Sequence, residues 1–120
     1  MTYQKTIGNL GETIAADFLT QKGYQLIDHN FHTRYGELDL VMLEKGSVVF
    51  VEVKTRTSDT FGTPEESITQ EKLERLQNAA LLWMQAHPEI DDDWRMDVVS
   101  ILLTPDRHVS DIEHFINVEL

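Results

Sequence analysis

The chain has 120 residues, which suits one compact domain and is short for two, and we expect a single domain over residues 1–120. Its 41% hydrophobic and 26% charged residues are typical of a globular protein with one core. The absence of cysteine excludes a disulfide framework and a thiolate zinc site. No stretch reads as a secretory signal or as an 18-residue apolar run, so we expect no membrane span and a cytoplasmic location.

The net charge of −11 is unfavourable for an ordinary nucleic-acid-binding protein. Contacts from Lys and Arg to phosphates supply most of the non-specific affinity of such proteins. The acidity is unevenly distributed, because residues 1–60 carry eight acidic and six basic residues, whereas residues 61–120 carry thirteen and four. Any surface that binds a polyanion is therefore expected to be local.

The first predicted element is an amphipathic helix of roughly four turns. Apolar residues at positions i, i+4 and i+8 run from Leu10 to Phe18. Asn9, followed three residues later by Glu12, resembles a capping box at the start of this helix, and Gly23 suits its end.

Three strands are expected next. Residues 24–28 read as a short strand, and residues 36–43 and 47–55 read as a hairpin around a Lys-Gly turn. A polar loop follows from about residue 57 to residue 67, and we consider it either a mobile flap, with Phe61 and Gly62 in it, or an ordinary connector.

A second helix is expected from near Thr69 to just before Pro88, followed by strands over residues 94–103 and 109–116. The apolar face of this helix comprises Leu73, Leu76, Ala80, Trp83 and Met84. The predicted order is αβββαββ, which indicates an α/β (α+β) domain with helices packed on a mixed sheet.

The predicted hairpin brings charged residues together at its open end. A two-residue turn sets a register in which Asp39 faces Glu52 and Glu37 faces Lys54, with Cβ atoms roughly 4.5–5.5 Å apart. Opposed carboxylates repel each other, and a divalent cation between them removes the repulsion. Oxygen ligands suit Mg²⁺ or Mn²⁺, beside which Lys54 could orient or help deprotonate an attacking water. The hairpin therefore predicts a metal-dependent site that cleaves phosphodiester bonds.

A structural interpretation fits the same spacing. Glu37 and Lys54 could form a cross-strand ion pair, while Asp39 and Glu52 merely leave the core at a sheet edge. Charged strand ends are common, and surface ion pairs contribute only about 0–1 kcal/mol. Spacing alone leaves both interpretations open.

The motifs GELDL at 36–40 and VVFVEVKTR at 48–56 resemble the Asp…(Asp/Glu)-X-Lys signature of restriction-endonuclease-like nucleases. More narrowly, the chain resembles the small bacterial YraN family, itself similar to archaeal Holliday-junction resolvases. The resemblance continues through the stretches at 7–31, 62–84 and 95–101, where the last reads RMDVVSI. It implies a restriction-endonuclease-like αβββαβ core, with a mixed central sheet flanked by helices.

The resemblance also implies an activity and a set of site residues. Asp39 matches the first metal-binding aspartate, Glu52 the second acid, Lys54 the motif lysine and Glu12 an additional metal-site glutamate. The backbone carbonyl of Val53 is expected in the metal shell. Read without the resemblance, Glu12 is better explained as a first-turn acid favoured by the helix macrodipole. The implied activity is cleavage of DNA, including branched Holliday-junction-like DNA, by a homodimer that uses Mg²⁺ or Mn²⁺ and no organic cofactor.

Further residues are candidates for contacts with the substrate. Glu37 belongs to the Gly-Glu-x-Asp motif and is a candidate metal ligand. Arg56, Arg34, Lys72 and Gln70 are candidate nucleic-acid contacts, with Arg56 favoured by its planar, bidentate guanidinium. Arg56 could equally pair with Glu37, and the two helix residues could simply be exposed.

The segment between the first two strands carries His29 and His32 beside Phe31 and Tyr35. Basic and aromatic residues in one loop can hold a nucleic-acid strand, although an ordinary surface loop looks the same. The remaining histidines, at 87, 108 and 114, share no ligand-like spacing, and we assign them no role.

A second hypothesis is a non-catalytic adaptor of the same fold that binds a basic protein through the acidic second half of the chain. DNA and RNA cannot be told apart as substrates, because metal-assisted phosphodiester hydrolysis needs the same ligands for both. A nuclease predicts metal-dependent, salt-sensitive contact with nucleic acid, and an adaptor predicts none.

Overall fold

The computed structural model describes residues 3–58 and 69–119 as a five-stranded mixed sheet between two helices. The elements are α1 (Tyr3–Gln21), β1 (Gln25–Thr33), β2 (Gly36–Glu44), β3 (Ser47–Thr57), α2 (Gln70–Ala86), β4 (Asp93–Leu103) and β5 (Val109–Phe115). The strands lie side by side in chain order, with β3 and β4 parallel and the other neighbours antiparallel. The predicted element order and fold class are confirmed, and the architecture is consistent with a restriction-endonuclease-like core.

The possible flap residues Phe61 and Gly62 lie outside the described residues. Within the described ranges, neither helix is long and apolar enough to cross a membrane.

Helix α1 begins earlier than its sequence indicates. It starts at Tyr3, so the predicted capping box at Asn9 is wrong, and Asn9 lies inside the helix. Ile7 is buried, so the apolar face begins one turn before Leu10, and this burial stabilises the earlier start of the helix. The predicted end is confirmed, because Gly23 adopts a φ of +96°, which a glycine tolerates, and the Tyr24 N–H donates a hydrogen bond to the Leu19 carbonyl at 3.0 Å.

Strand β1 is longer than predicted. It continues to Thr33, so the expectation that His29 and His32 lie in a loop is wrong. These histidines pair with Leu40 and Glu37 of β2, and the hydrogen-bonded ladder outweighs the polar composition of the segment. Only residues 34 and 35 remain between the two strands.

The hairpin of β2 and β3 has the predicted turn and register. Lys45 and Gly46 both have positive φ, at 49° and 78°, as a type I′ turn requires. The strands pair from Glu44 opposite Ser47 as far as Leu40 opposite Val51, where each pair of residue numbers has the predicted sum of 91.

Strand β3 lies in the middle of the sheet and contributes to a core on each face. The α1-side core contains Ile7, Ala15, Leu19, Tyr24, Leu40, Met42, Val49, Val51, Val99, Ile101 and Leu103. The α2-side core contains Leu38, Val41, Val48, Phe50, Leu76, Ala79, Ala80, Trp83 and Met96. Because both faces of β3 are covered, its sequence is a continuous apolar run rather than an alternating one.

Helix α2 has the predicted start and the predicted apolar face. The Thr69 hydroxyl caps it by accepting a hydrogen bond from the Lys72 N–H at 3.1 Å. Trp83 packs edge-to-face on Phe50, with ring centroids 5.6 Å apart. The Trp83 indole N–H donates to an Asp28 carboxylate oxygen at 2.8 Å, which satisfies the one polar atom of this buried ring.

Candidate metal centre at the open end of the hairpin

Glu12 reaches the sheet because α1 lies unusually close to β3. A Cβ atom added to Gly11 would come within 1.8 Å of the Thr55 hydroxyl oxygen, so a residue with a side chain does not fit there without movement. The backbone of α1 at Gly11 therefore packs directly against the side chain of Thr55 on β3. The next residue along the helix, Glu12, is placed at the end of β2 and β3 that carries the predicted site.

Strand β2 rotates at Asp39. Leu38 packs in the α2-side core and Leu40 in the α1-side core, although residues two apart in a regular strand share a face. The ladder to β3 correspondingly ends at Leu40 and Val51. Beyond it, the Asp39 carboxylate accepts a hydrogen bond from the Val53 N–H at 2.9 Å, in place of the regular pairing that the prediction assumed.

Three carboxylates converge at this rotated end of β2. Glu12, Glu37 and Asp39 each offer an oxygen, and these oxygens all lie within 4.8 Å of one another. All three residues are partly buried. Ligand oxygens around an octahedral Mg²⁺ with bonds of about 2.1 Å lie roughly 3–4.2 Å apart. The observed spacing therefore fits one hard cation after small side-chain movements.

The protonation of Asp39 reflects this crowding. Burial raises the pKa of Asp39 to about 8, the charges of Glu52 and Glu37 contribute to the rise, and the Val53 N–H opposes it. The pKa of Glu12 is also raised, chiefly by burial. Without a cation, the site favours binding protons.

Asn30 joins the carboxylates, a contact that the sequence did not predict. Its Nδ2 donates to Glu12 Oε1 at 2.9 Å and to Glu37 Oε1 at 2.6 Å, while its Oδ1 lies 2.9 Å from His29 Nδ1. Asn30 has a φ of 51°, a left-handed conformation that asparagine tolerates better than most residues. Asparagine is depleted in strands. Its position in β1 would have been a signal if the full length of that strand had been recognised.

Glu37 does not form the ion pair that the structural interpretation proposed. Its second oxygen lies 3.3 Å from His32 Nδ1, and Asn30 occupies the first. Lys54 instead forms its ion pair with Glu52 on its own strand. The Glu37–Lys54 alternative is therefore wrong.

Two lysines approach the buried carboxylate of Glu52. Lys54 Nζ lies 3.9 Å and Lys72 Nζ 3.8 Å from Glu52 Oε1, and Glu52 is only 7% exposed. Burial and the neighbouring Lys72 lower the pKa of Lys54, and Glu52 opposes this effect. Lys54 therefore releases its proton at a lower pH than an exposed lysine does.

Two clefts give access to the carboxylates from opposite faces of the sheet. The α1-side cleft, of about 480 Å³, is lined by Glu12 and Asn30 among others, and the α2-side cleft, of about 330 Å³, by Glu52 and Lys72 among others. Glu37 and Asp39 line both clefts. The carboxylates therefore separate an acidic cleft from one that contains basic residues.

The predicted nucleic-acid contacts are spread around the α2-side cleft and beyond it. Lys72 lines this cleft, and so does Tyr35, to whose hydroxyl Arg34 donates at 3.1 Å. Gln70 is exposed as the first residue of α2, and Arg56 is partly buried on β3. The cleft thus includes Lys72 and, through Tyr35, has Arg34 near its rim. Contacts from Gln70 and Arg56 stay predictions.

Comparison with known proteins places the chain among bacterial relatives. Residues 11–101 match the family described as "Uncharacterised protein family UPF0102". A UPF0102 protein of Syntrophomonas wolfei is 47% identical over 113 residues, which cover 94% of this chain and 96% of that protein. Another, from Clavibacter michiganensis, is 46% identical and covers 85% of the chain and 86% of its own length. A third, from Caldanaerobacter subterraneus, is 36% identical and covers 95% and 94%. The resemblance to the YraN family is confirmed, and the chain belongs to the UPF0102 family.

Proposed function

We propose that this protein is an endonuclease that hydrolyses phosphodiester bonds in DNA with Mg²⁺ or Mn²⁺. The observation that carries the proposal is the convergence of oxygens from Glu12, Glu37 and Asp39 within 4.8 Å. Two lysines next to the site, Lys54 and Lys72, add the positive charge that a phosphate would need. A cytoplasmic location is part of the proposal.

The cation would be held by oxygen ligands alone. Asp39, Glu12 and Glu37 would supply carboxylates, with Glu52 and the Val53 carbonyl completing the protein's share of the shell. Hard oxygen ligands suit Mg²⁺ or Mn²⁺ rather than metals that prefer sulfur or imidazole. Once bound, such an ion would polarise the scissile phosphate and lower the pKa of a bound water.

The protein's own side chains have distinct parts in the proposed reaction. Lys54, whose pKa is lowered, would accept a proton from the attacking water or orient it. Glu52 would hold Lys54 and Lys72 in place through the ion pairs at 3.9 and 3.8 Å. Lys72 would meet a phosphate in the α2-side cleft, where positive charge stabilises the charge that develops in the transition state.

A local basic surface would allow an acidic protein to hold DNA. Lys72 and Arg75 both line the α2-side cleft, with Arg34 near its rim. Gln70 and Arg56 would extend contacts along the backbone. Symmetric cleavage of branched DNA needs two sites, so a homodimer is the assembly we propose for a Holliday-junction-like substrate.

The adaptor hypothesis remains the second candidate because of the acidic second half of the chain. Strand β5 lies at an edge of the sheet and exposes Asp111 and Glu113, which a basic protein could contact. RNA remains an alternative substrate, since none of the roles proposed for the site residues involves a group that distinguishes RNA from DNA.

The decisive experiment is titration of Mn²⁺ by calorimetry into the wild type and into the double variant Asp39→Ala/Glu52→Ala. Cleavage of linear DNA, branched DNA and RNA is assayed on the same samples. The proposal expects metal binding and metal-dependent cleavage by the wild type, with both lost in the double variant. Asp17→Asn, which changes an exposed acid of α1, is the matched control and should behave as the wild type. Metal binding without cleavage of any substrate would favour the adaptor.

Lys54→Ala separates chemistry from metal binding. The variant removes the proposed proton acceptor and leaves all five proposed metal ligands, so cleavage should be abolished while the Mn²⁺ affinity changes less than a few-fold. The measurement is single-turnover cleavage together with calorimetry. Full activity of this variant would remove Lys54 from the mechanism.

A further inference from the structure

Asn30 occupies the space between two carboxylates that the charges of the site would otherwise push apart. Its amide nitrogen carries two hydrogens, one for Glu12 at 2.9 Å and one for Glu37 at 2.6 Å. These acids come from α1 and β2, while Asn30 comes from β1. One neutral side chain thus joins three elements at the point where the carboxylates converge.

The backbone of Asn30 is suited to this placement. A φ of 51° is uncommon for residues other than glycine, asparagine and aspartate. The left-handed conformation interrupts the alternation of β1. The carbonyl oxygen of the amide lies 2.9 Å from His29 Nδ1, which favours the orientation in which the nitrogen faces the acids.

We propose that Asn30 is a positioning residue, which holds Glu12 and Glu37 at ligand spacing in the cation-free protein and gives up this place when the cation binds. The inference rests on the metal centre of the proposed function and adds a residue that the family resemblance did not indicate. Asn30 occupies Oε1 of both Glu12 and Glu37, and in this proposal the cation takes the same two oxygens. The site is therefore assembled before the cation arrives.

A cation that takes these two oxygens breaks the two hydrogen bonds of the amide. An N–H group donates and cannot coordinate a metal, so the amide either withdraws or turns its Oδ1 towards the ion. The amide therefore stabilises the empty site and competes with the cation for it. Removing the amide should lower the stability of the cation-free protein and increase the stabilisation that the cation provides.

Two substitutions test this competition. Asn30→Gly removes the amide and tolerates the left-handed backbone. Asn30→Asp keeps the shape and replaces two donors by another carboxylate. In EDTA, the Tm of Asn30→Gly should fall by roughly 5–10 °C, and that of Asn30→Asp should fall further, because charge-assisted hydrogen bonds are lost and repulsion is added.

Saturating Mn²⁺ should raise the Tm of both variants by more than it raises that of the wild type. The Mn²⁺ affinity of Asn30→Asp should rise about tenfold, because the charge of the ligand set increases.

Asn9→Ala is the control, because Asn9 lines the same α1-side cleft from an exposed position on α1. Its Tm in EDTA and its response to Mn²⁺ should match the wild type. If Asn30→Gly does not fold in EDTA, recovery of the fold in Mn²⁺ supports the inference, and failure in both buffers overturns it.

The outcomes separate this inference from the proposed function. Suppose that the wild type binds Mn²⁺. If the Asn30 variants then match its Tm in EDTA, or if Asn30→Asp binds Mn²⁺ more weakly than the wild type, only the role of Asn30 is overturned. A wild type whose Tm and calorimetry do not respond to Mn²⁺ overturns both.

Discussion

Two aspartates of this protein, the fully buried Asp97 and the partly buried Asp39, have opposite electrostatic surroundings. Asp97 on β4 is fully buried, yet it accepts hydrogen bonds from Arg95 at 3.0 Å, His114 at 2.7 Å and the Asn117 N–H at 3.0 Å. Burial alone would raise the pKa of Asp97, but these hydrogen bonds hold it below its usual value. Asp39 has carboxylates for neighbours, and its pKa rises to about 8 with burial as the main cause.

Burial of a carboxylate therefore does not by itself indicate a functional site. Asp97 is compensated by a guanidinium and an imidazole, and the same network ties residues after β5 to β4. Lys22 Nζ lies 2.7 Å from His114 Nδ1 and links the end of α1 to this network. Asp39 faces like charges, and a cation would relieve them. The compensated aspartate is structural, and the uncompensated one is the candidate for function.

The largest expected effect is at Asp97. Asp97→Ala leaves Arg95 and His114 without their buried partner, and breaking such a pair costs about 3–5 kcal/mol of the free energy of unfolding. Urea denaturation measures this loss. Asp111→Ala, at an exposed position of β5, is the control and should leave the urea midpoint near that of the wild type. Equal midpoints for the two variants would show that the Asp97 network contributes nothing to stability.

The pH dependence of stability distinguishes the two aspartates directly. Folded Asp39 keeps its proton up to about pH 8, whereas an unfolded aspartate releases it near pH 4. The stabilisation from this proton is complete below pH 4 and is lost as the pH rises through 8. The cation-free protein should therefore lose up to about 1.4 kcal/mol of its free energy of unfolding per pH unit between pH 5 and 8.

Asp39→Asn should flatten this slope and raise the Tm at pH 8 in EDTA. The raised pKa of Glu12 acts in the same direction and leaves a residual slope. Asp97, with its lowered pKa, stabilises the fold above pH 4 and loses that contribution only in more acidic buffer, so it does not interfere in this window. Thermal unfolding from pH 5 to pH 8 is the measurement. A wild-type Tm independent of pH would contradict the raised pKa of Asp39.

A smaller effect is expected where α1 meets β3. Gly11→Ala places a Cβ against the Thr55 hydroxyl and should cost about 1–3 kcal/mol of the free energy of unfolding. It should also move Glu12 and weaken the Mn²⁺ binding that we propose. Gly8→Ala, in the same helix, meets nothing within 4 Å and should stabilise the protein by up to about 1 kcal/mol through helix propensity. Urea denaturation should therefore show a lower midpoint for Gly11→Ala and a higher one for Gly8→Ala. Neither substitution touches the Asp97 network, so the difference reports on the approach of α1 to β3 alone. Equal effects of the two variants would show that the close approach at Gly11 does not constrain the site.

Local rules were enough to predict much of the fold. The turn at Lys45-Gly46, the register as far as Val51 and the Thr69 cap each depend on residues within a few positions of one another. The grouping of Asp39 with Glu37 was equally accessible, because two residues on one strand stay close whatever the rest of the fold does. The start of α1 was not accessible, because it depends on burial of Ile7 against distant strands.

Periodicity and turn signals therefore predicted the order of the elements, the hairpin and the acidic and basic residues at its open end. The resemblance placed Glu12 in the same site as Asp39, but the spacing of their carboxylates came only with the folded structure. The rotation of β2 at Asp39 and the bridge from Asn30 to two acids were likewise visible only there. The physical reason is that these features depend on contacts between separate elements. Asn30 lies 18 residues from Glu12 in the chain, and no periodicity or turn signal reports a contact at that separation.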